Sequence, residues 1–140
     1  MTGIRAATPA DAEALAGLSG QLGYPADAPA ISRRLARVDR GVVLVAVGRQ
    51  GAVCGFAHAA PRRLLIADPF VELAGLVVDE TARGSGVGAA LLAAVEAWAR
   101  EQGFASVRVR SNVVREHAHR FYSREGYIEK KRQVVFVKRL

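Results

Sequence analysis

Glycine stands at every second position in Arg83-Gly84-Ser85-Gly86-Val87-Gly88, directly after an arginine and between a β-branched run and an Ala/Leu-rich run. Glycine is a poor component of both strands and helices, so three of them here need a reason. A helix N-terminus offers unpaired backbone N–H groups and a partial positive charge, and both attract phosphate. Without a Cβ, the backbone also lets ligand oxygens come close. A strand followed by Arg-Gly-Ser-Gly-Val-Gly and a helix is therefore a cradle for a diphosphate, with the Arg83 guanidinium as an added cation. Two familiar phosphate loops do not fit. No lysine follows Gly88, which excludes the P-loop pattern. Glycines at 84, 86 and 88, with only 52 residues after them, do not make the dinucleotide fingerprint. The pattern that fits is Arg/Gln-x-x-Gly-x-Gly/Ala, met by Arg83, Gly86 and Gly88.

Other residues invite a chemical reading. Glu72 is a lone carboxylate in the strand-like stretch Phe-Val-Glu-Leu-Ala-Gly-Leu-Val-Val, and period two puts Glu72, Ala74, Leu76 and Val78 on one face. Tyr122 carries a phenol that stays protonated at neutral pH. His117 and His119 are two apart on a predicted helix and point to different faces, so they are not expected to share a metal, and no metal site is expected anywhere. His58 lies in a strand and reads either as a pocket residue or as core. Cys54, the single cysteine, excludes an internal disulfide and reads as a small buried apolar residue rather than a nucleophile.

These residues need a scaffold. Gly3–Thr8 reads as a first strand, and a helix follows with Thr8 as N-cap, Pro9 in the first turn and Leu15, Leu18 and Leu22 on one face. A second helix begins after Asp27 with Ile31, Leu35 and Val38 inward. Two strands are joined by a turn at Arg49-Gln50-Gly51, and the Glu72 strand comes next. The glycine run leads into a helix that Gly103 stops. A strand at 106–111, a helix ended by Gly126 and a last strand over 134–140 complete the order β-α-α-β-β-β-α-β-α-β, a single mixed α/β domain over residues 1–140.

With that order in place, the chain resembles the GNAT-superfamily acyl-CoA N-acyltransferases. The resemblance follows the element order through nearly the whole chain and is strongest from Glu72 to Tyr127, in Leu-Val-Val-Asp-Glu-Thr-Ala-Arg-Gly-Ser-Gly-Val-Gly-Ala-Ala-Leu-Leu and Ala-His-Arg-Phe-Tyr-Ser-Arg-Glu-Gly-Tyr. The first 65 residues match in layout alone, and Glu80 stands where many members have proline. The resemblance implies a mostly antiparallel sheet flanked by about four helices and splayed where acetyl-CoA binds. It implies a diphosphate on the amides from Arg83 through Gly84, Ser85, Gly86, Val87 and Gly88 to Ala89. The pantetheine arm would run beside Leu76, Val77 and Val78, with Val77 or Val78 N–H donating to the oxyanion. Tyr122 would be the acid that protonates the leaving thiolate. Glu72 would be the base for the amine, directly or through water. Asn112 reads either as a pantetheine ligand or as a helix cap; the family often carries asparagine a little further on, where Arg115 stands here. Arg115, Arg120 and Arg124 would meet the cofactor's phosphates.

Charge narrows the acceptor. The formal net charge is +7, and residues 1–99 balance, so the excess lies in residues 100–140, with eleven Lys/Arg against four Glu. The acceptor region, Leu22–Arg40 and His58–Glu72, holds Arg33, Arg34, Arg37, Arg62 and Arg63 against Asp27, Asp39 and Asp68. A polycation prefers an acidic groove, so the expectation is a small primary amine that also bears an anion. The C-terminal half is similar to aminoalkylphosphonate N-acetyltransferases, which points the same way. Aminoglycoside and protein or peptide N-acetyltransferases are the alternatives. A non-catalytic acyl-CoA sensor or a nucleic-acid-binding protein is the alternative of another class. No nucleic-acid motif is present, and eight scattered Phe and Tyr make a poor stacking platform. No run approaches the ~18 apolar residues of a membrane span, and the N-terminal residues do not read as a secretory leader, so a cytoplasmic protein is expected. Dimerisation is common in the superfamily, and the last strand would offer an edge to a second copy.

Overall fold

A computed structural model describes residues 3–111 and 113–140, and the chain divides into two compact units, Met1–Val109 and Arg110–Leu140. The first unit runs β1 (Gly3–Ala6), α1 (Ala12–Leu22), α2 (Ala28–Ala36), β2 (Val42–Val47), β3 (Val53–Arg62), β4 (Phe70–Val78), α3 (Val87–Glu101) and β5 (Val107–Val109). The second holds α4 (Glu116–Arg124). No helix among the described residues is long and apolar enough to cross a membrane.

Local chemistry sets the boundaries. The Thr8 N–H donates to Asp11 Oδ2 at 2.8 Å, and that carboxylate also takes a two-pronged ion pair from Arg5 at 2.8 and 3.0 Å. Asp11 therefore ties β1 to the turn that starts α1. The Arg5 guanidinium lowers the Asp11 carboxyl to about 2, against the opposing effect of burial. Asp27 caps α2 by accepting from Ala30 N–H at 2.8 Å. Gly23, Gly103 and Gly126, at φ of 101°, 86° and 90°, stop α1, α3 and α4 in the left-handed conformation that glycine adopts freely.

The five strands lie in the order β1-β2-β3-β4-β5, antiparallel except for the β4–β5 pair. That parallel pair needs a crossover, which α3 supplies. α3 packs on the face that carries Gly55. A Cβ built there would come 3.2 Å from Leu91 and 3.4 Å from Val87. Leu91, Leu92, Val95 and Ala99 bury that helix stripe, and Leu91 and Val95 are fully inaccessible. Truncating Leu91 to alanine is expected to cost roughly 2–5 kcal/mol. Val45, which pairs with Phe56, and Val77 lie on the opposite face and are also buried, so both faces of the sheet are covered.

Two features of β4 matter for the site. Leu73 pairs with Ala59 and Gly75 with His58, which leaves Ala74 as an extra residue, a β-bulge. Strict alternation therefore fails. Glu72 shares a face with Gly75 and Val77, while Leu76 and Val78 lie on the α3 face. The expected single row of Glu72, Ala74, Leu76 and Val78 is broken at the bulge. In addition, β5 pairs only with Val71, Glu72 and Leu73. From Ala74 to Val78 that edge of β4 meets no strand among the described residues, which is the splay expected of the sheet.

In the second unit, Tyr122 meets Phe121 edge-on, with ring centroids 5.2 Å apart, and Tyr127 at 5.8 Å. The last strand expected over 134–140 is not formed. No regular element follows α4 among the described residues, and Val134, Val135, Phe136 and Val137 are exposed. A strand exists only through pairing, and the described residues of this unit include no other strand to pair with it.

Candidate active site

The glycine run becomes a tight loop between β4 and α3. Asp79 N–H donates to the Cys54 carbonyl at 2.8 Å, Asp79 Oδ2 accepts from Thr81 N–H at 3.1 Å, and Arg83 Nε–H donates to the Val78 carbonyl at 3.1 Å. Ser85 Oγ–H donates to the Ala82 carbonyl. Gly84 and Gly86 take φ of 78° and 85°, and a Cβ at either position would meet no chain atom within 4 Å. The backbone angle there favours glycine, while the space beside it stays open. The first helical bond of α3 runs from Ala90 N–H to the Gly86 carbonyl at 3.0 Å. The amides of Val87, Gly88 and Ala89 precede it and have no acceptor among the described residues, which leaves a helix N-terminus ready for an anion. These amides lie at the end of the strand whose backbone edge is open from Ala74 onward.

On the face away from α3, the sheet register gathers a second set of groups. His58 lies opposite Gly75, Ala60 opposite Glu72 and Arg62 opposite Phe70 on β3–β4, while Arg108 of β5 pairs with Glu72. Glu72 thus has Arg108 as its β5 partner, and its charge reaches the His58 imidazole on β3. Burial lowers His58 below its usual value, and the Glu72 charge opposes that shift. Burial therefore favours the neutral imidazole. The Arg108 guanidinium stacks 4.1 Å from the centroid of the Phe70 ring, and Arg62 Nε is buried with no hydrogen-bond partner among the described residues. An open groove of about 400 Å³ lies where β2 meets α2, and Leu35, Val38, Val42 and Val43 help line it. It contains no titratable group and so offers room rather than chemistry.

Within the second unit, burial pushes the Tyr122 phenol up to about 12, against the lowering effect of the Arg115 charge. A phenol held that high keeps its proton throughout the neutral range and remains able to donate it. Arg115 precedes α4, and Arg120 contacts His117 Nδ1 at 2.8 Å. Asn112 lies outside the described residues. No group of three or more His, Cys, Asp or Glu side chains among the described residues is placed to hold a metal.

An open-edged strand that feeds an unsatisfied helix N-terminus through a left-handed glycine loop is an arrangement suited to an extended ligand that carries an anion. Comparison with known proteins gives the family. The model of the acetyltransferase (GNAT) family matches residues 14–127. An aminoglycoside N(6')-acetyltransferase type 1 from Stenotrophomonas maltophilia is 38% identical over 139 residues, covering 95% of this chain and 90% of that protein. An aminoalkylphosphonate N-acetyltransferase from Salmonella typhimurium strain LT2 is 45% identical over 56 residues, 40% of this chain and 36% of its own length. The solved structure of the aminoglycoside N-acetyltransferase AAC(6')-Iy in complex with CoA superimposes with a TM-score of 0.82 at 25% identity, covering 99% of this chain and all of that one. The chain belongs to the GNAT acetyltransferase family, and it is an enzyme that uses acetyl-CoA to acetylate an amine.

Sequence reasoning singled out the loop, Glu72 and Tyr122 as candidates. It missed Arg108 as a neighbour of Glu72, and it missed Gln21, whose side chain reaches the loop from α1. The pairing of Arg108 with Glu72 follows from a strand register that no local pattern encodes. Gln21 is 58 residues from its partner Asp79.

Proposed function

We propose that the protein transfers the acetyl group of acetyl-CoA directly to the primary amine of a small molecule that also carries an anionic group, and that the chain acts as one acetyltransferase domain over residues 1–140. The observation that carries the reading is the set of open amides at Val87, Gly88 and Ala89 beside the open edge of β4. The family match runs through the boundary between the two units, which supports their acting together.

In this reading the diphosphate rests on the amides from Arg83 to Ala89. Pantetheine lies along Leu76, Val77 and Val78, and a β4 N–H donates to the thioester oxygen as negative charge develops there. An alkylammonium has a pKa near 10, so roughly one molecule in a thousand is neutral at pH 7. Glu72, with His58 on the neighbouring strand, takes the proton. The amine nitrogen then attacks the carbonyl carbon, the C–S bond breaks as Tyr122 gives its proton to the thiolate, and the acylated nitrogen passes its second proton to the Tyr122 phenolate, leaving the amide and the CoA thiol. Asn112 and Arg115 complete the cofactor contacts. Arg62 and Arg108, on the Glu72 face, support an acceptor with an anion near its amine. Transfer is direct, with no acyl-cysteine. The protein is read as cytoplasmic, and the exposed Val134–Val137 stretch supports a homodimer.

A second reading, an aminoglycoside acceptor, is favoured by the relative that matches 95% of the chain. Thiol release from acetyl-CoA over a panel of aminophosphonates, amino acids, simple amines and aminoglycosides separates the two. Turnover confined to amines that bear an anion supports the proposal. Turnover with aminoglycosides alone replaces it with the second reading, and none with any amine contradicts catalysis.

A further inference from the structure

The penultimate residue of α1 holds the loop in place. Gln21 Nε2–H donates to Asp79 Oδ1 at 2.8 Å, and Gln21 Oε1 accepts from the Glu80 N–H at 3.0 Å. The backbone donor at Glu80 fixes which end of the amide is oxygen. A single side chain thus grips both the carboxylate and the next peptide group at the point where β4 turns toward the glycines. Asp79 Oδ2 in turn holds Thr81, and the Asp79 N–H is tied to Cys54 of β3. Four residues after Asp79 come Arg83 and the loop amides. Only a side chain of this length with both a donor and an acceptor makes this bridge: glutamate lacks the donor, lysine lacks the acceptor, and asparagine is shorter by a methylene.

We infer that Gln21 is a positioning residue for acetyl-CoA, setting the loop so that its amides converge on the diphosphate. This rests on the proposed use of that loop. Both bonds are solvent-exposed. Water replaces them readily when they are lost, so they contribute little to folding. Their consequence appears when a ligand demands one loop geometry, because hydrogen bonds from the loop amides weaken steeply as their geometry departs from ideal.

The test measures acetyl-CoA affinity by calorimetry, KM and kcat by thiol release, and thermal stability without ligand. Gln21→Ala is expected to weaken acetyl-CoA binding and raise its KM roughly tenfold, with kcat at saturation and the apo melting temperature close to wild type. Gln21→Glu puts a second carboxylate against Asp79 and is expected to weaken binding further. Combining it with Asp79→Asn restores the bridge: the asparagine amide donates to the new carboxylate, which still accepts from Glu80 N–H, and the asparagine oxygen still accepts from Thr81. The double variant should recover most of the affinity. Wild-type affinity in Gln21→Ala, a fall in kcat at unchanged KM, a loss of affinity that tracks a lower apo melting temperature, or no recovery in the double variant would each overturn the inference. Failure of the wild-type protein itself to bind acetyl-CoA would instead refute the use of the loop.

Discussion

Replacing Gly86 separates two reasons for a glycine that sequence alone cannot distinguish. Its φ of 85° is left-handed, and an L-residue with a Cβ adopts that region at a cost of roughly 1–2 kcal/mol. A Cβ added at Gly86 would have no chain atom within 4 Å, so that conformational cost is the whole intramolecular effect. Gly86→Ala should therefore lower the melting temperature by roughly 4 °C. Asparagine tolerates the left-handed region and is a good helix N-cap, so Gly86→Asn should melt near the wild-type temperature. If the open space beside Gly86 belongs to the diphosphate, any side chain obstructs it. Both variants should then bind acetyl-CoA at least about tenfold more weakly, whatever their stability. The assays are thermal unfolding without ligand and calorimetric titration with acetyl-CoA. A Gly86→Asn protein that is stable and binds acetyl-CoA as tightly as wild type would show that the glycine serves the turn alone, and the assignment of the loop would fall.

Tyr122→Phe removes the proposed proton donor and keeps the ring packed between Phe121 and Tyr127. It should lower kcat by about 10²-fold or more while leaving acetyl-CoA affinity unchanged, as steady-state kinetics beside calorimetry would show. Because the phenol stays protonated up to about pH 12, wild-type activity should show no loss from this group between pH 7 and 10. Glu72→Gln should lower kcat and, because the Glu72 charge is what holds His58 up against burial, should move the His58 titration to still lower pH; imidazole shifts in an NMR pH titration read this directly. Asp11 titrates lower in the folded chain than in the unfolded one, so its contribution is complete above about pH 4 and disappears as pH falls toward 2. Arg5→Ala should accordingly lower stability at pH 7, by a modest amount because solvent screens the exposed guanidinium, with the gap to wild type closing between about pH 4 and pH 2 in denaturant titrations.

Much of this architecture was legible in the residues because the signals were local. Thr8 and Asp11, Asp27, and the stop glycines at 103 and 126 act within a few positions of themselves. Arg83 to Gly88 announces its loop through conformations that only glycine takes easily. What was not legible depends on partners distant in sequence. The bulge at Ala74 has no residue of its own to mark it, yet it moves Glu72 off the face of Leu76 and onto that of His58. The pairing of Glu72 with Arg108, and the bridge from Gln21 to Asp79, are products of sheet register and helix packing. The stretch from Val134 to Leu140 has the composition of a strand, but composition supplies no partner.

The central claim, that amides at the start of α3 hold the diphosphate of acetyl-CoA, is tested most directly by backbone amide chemical shifts during titration with acetyl-CoA. The N–H signals from Ser85 to Ala89 should move most and should saturate together with Leu76–Val78. A titration in which acetyl-CoA binds while those loop amides stay in place would contradict it.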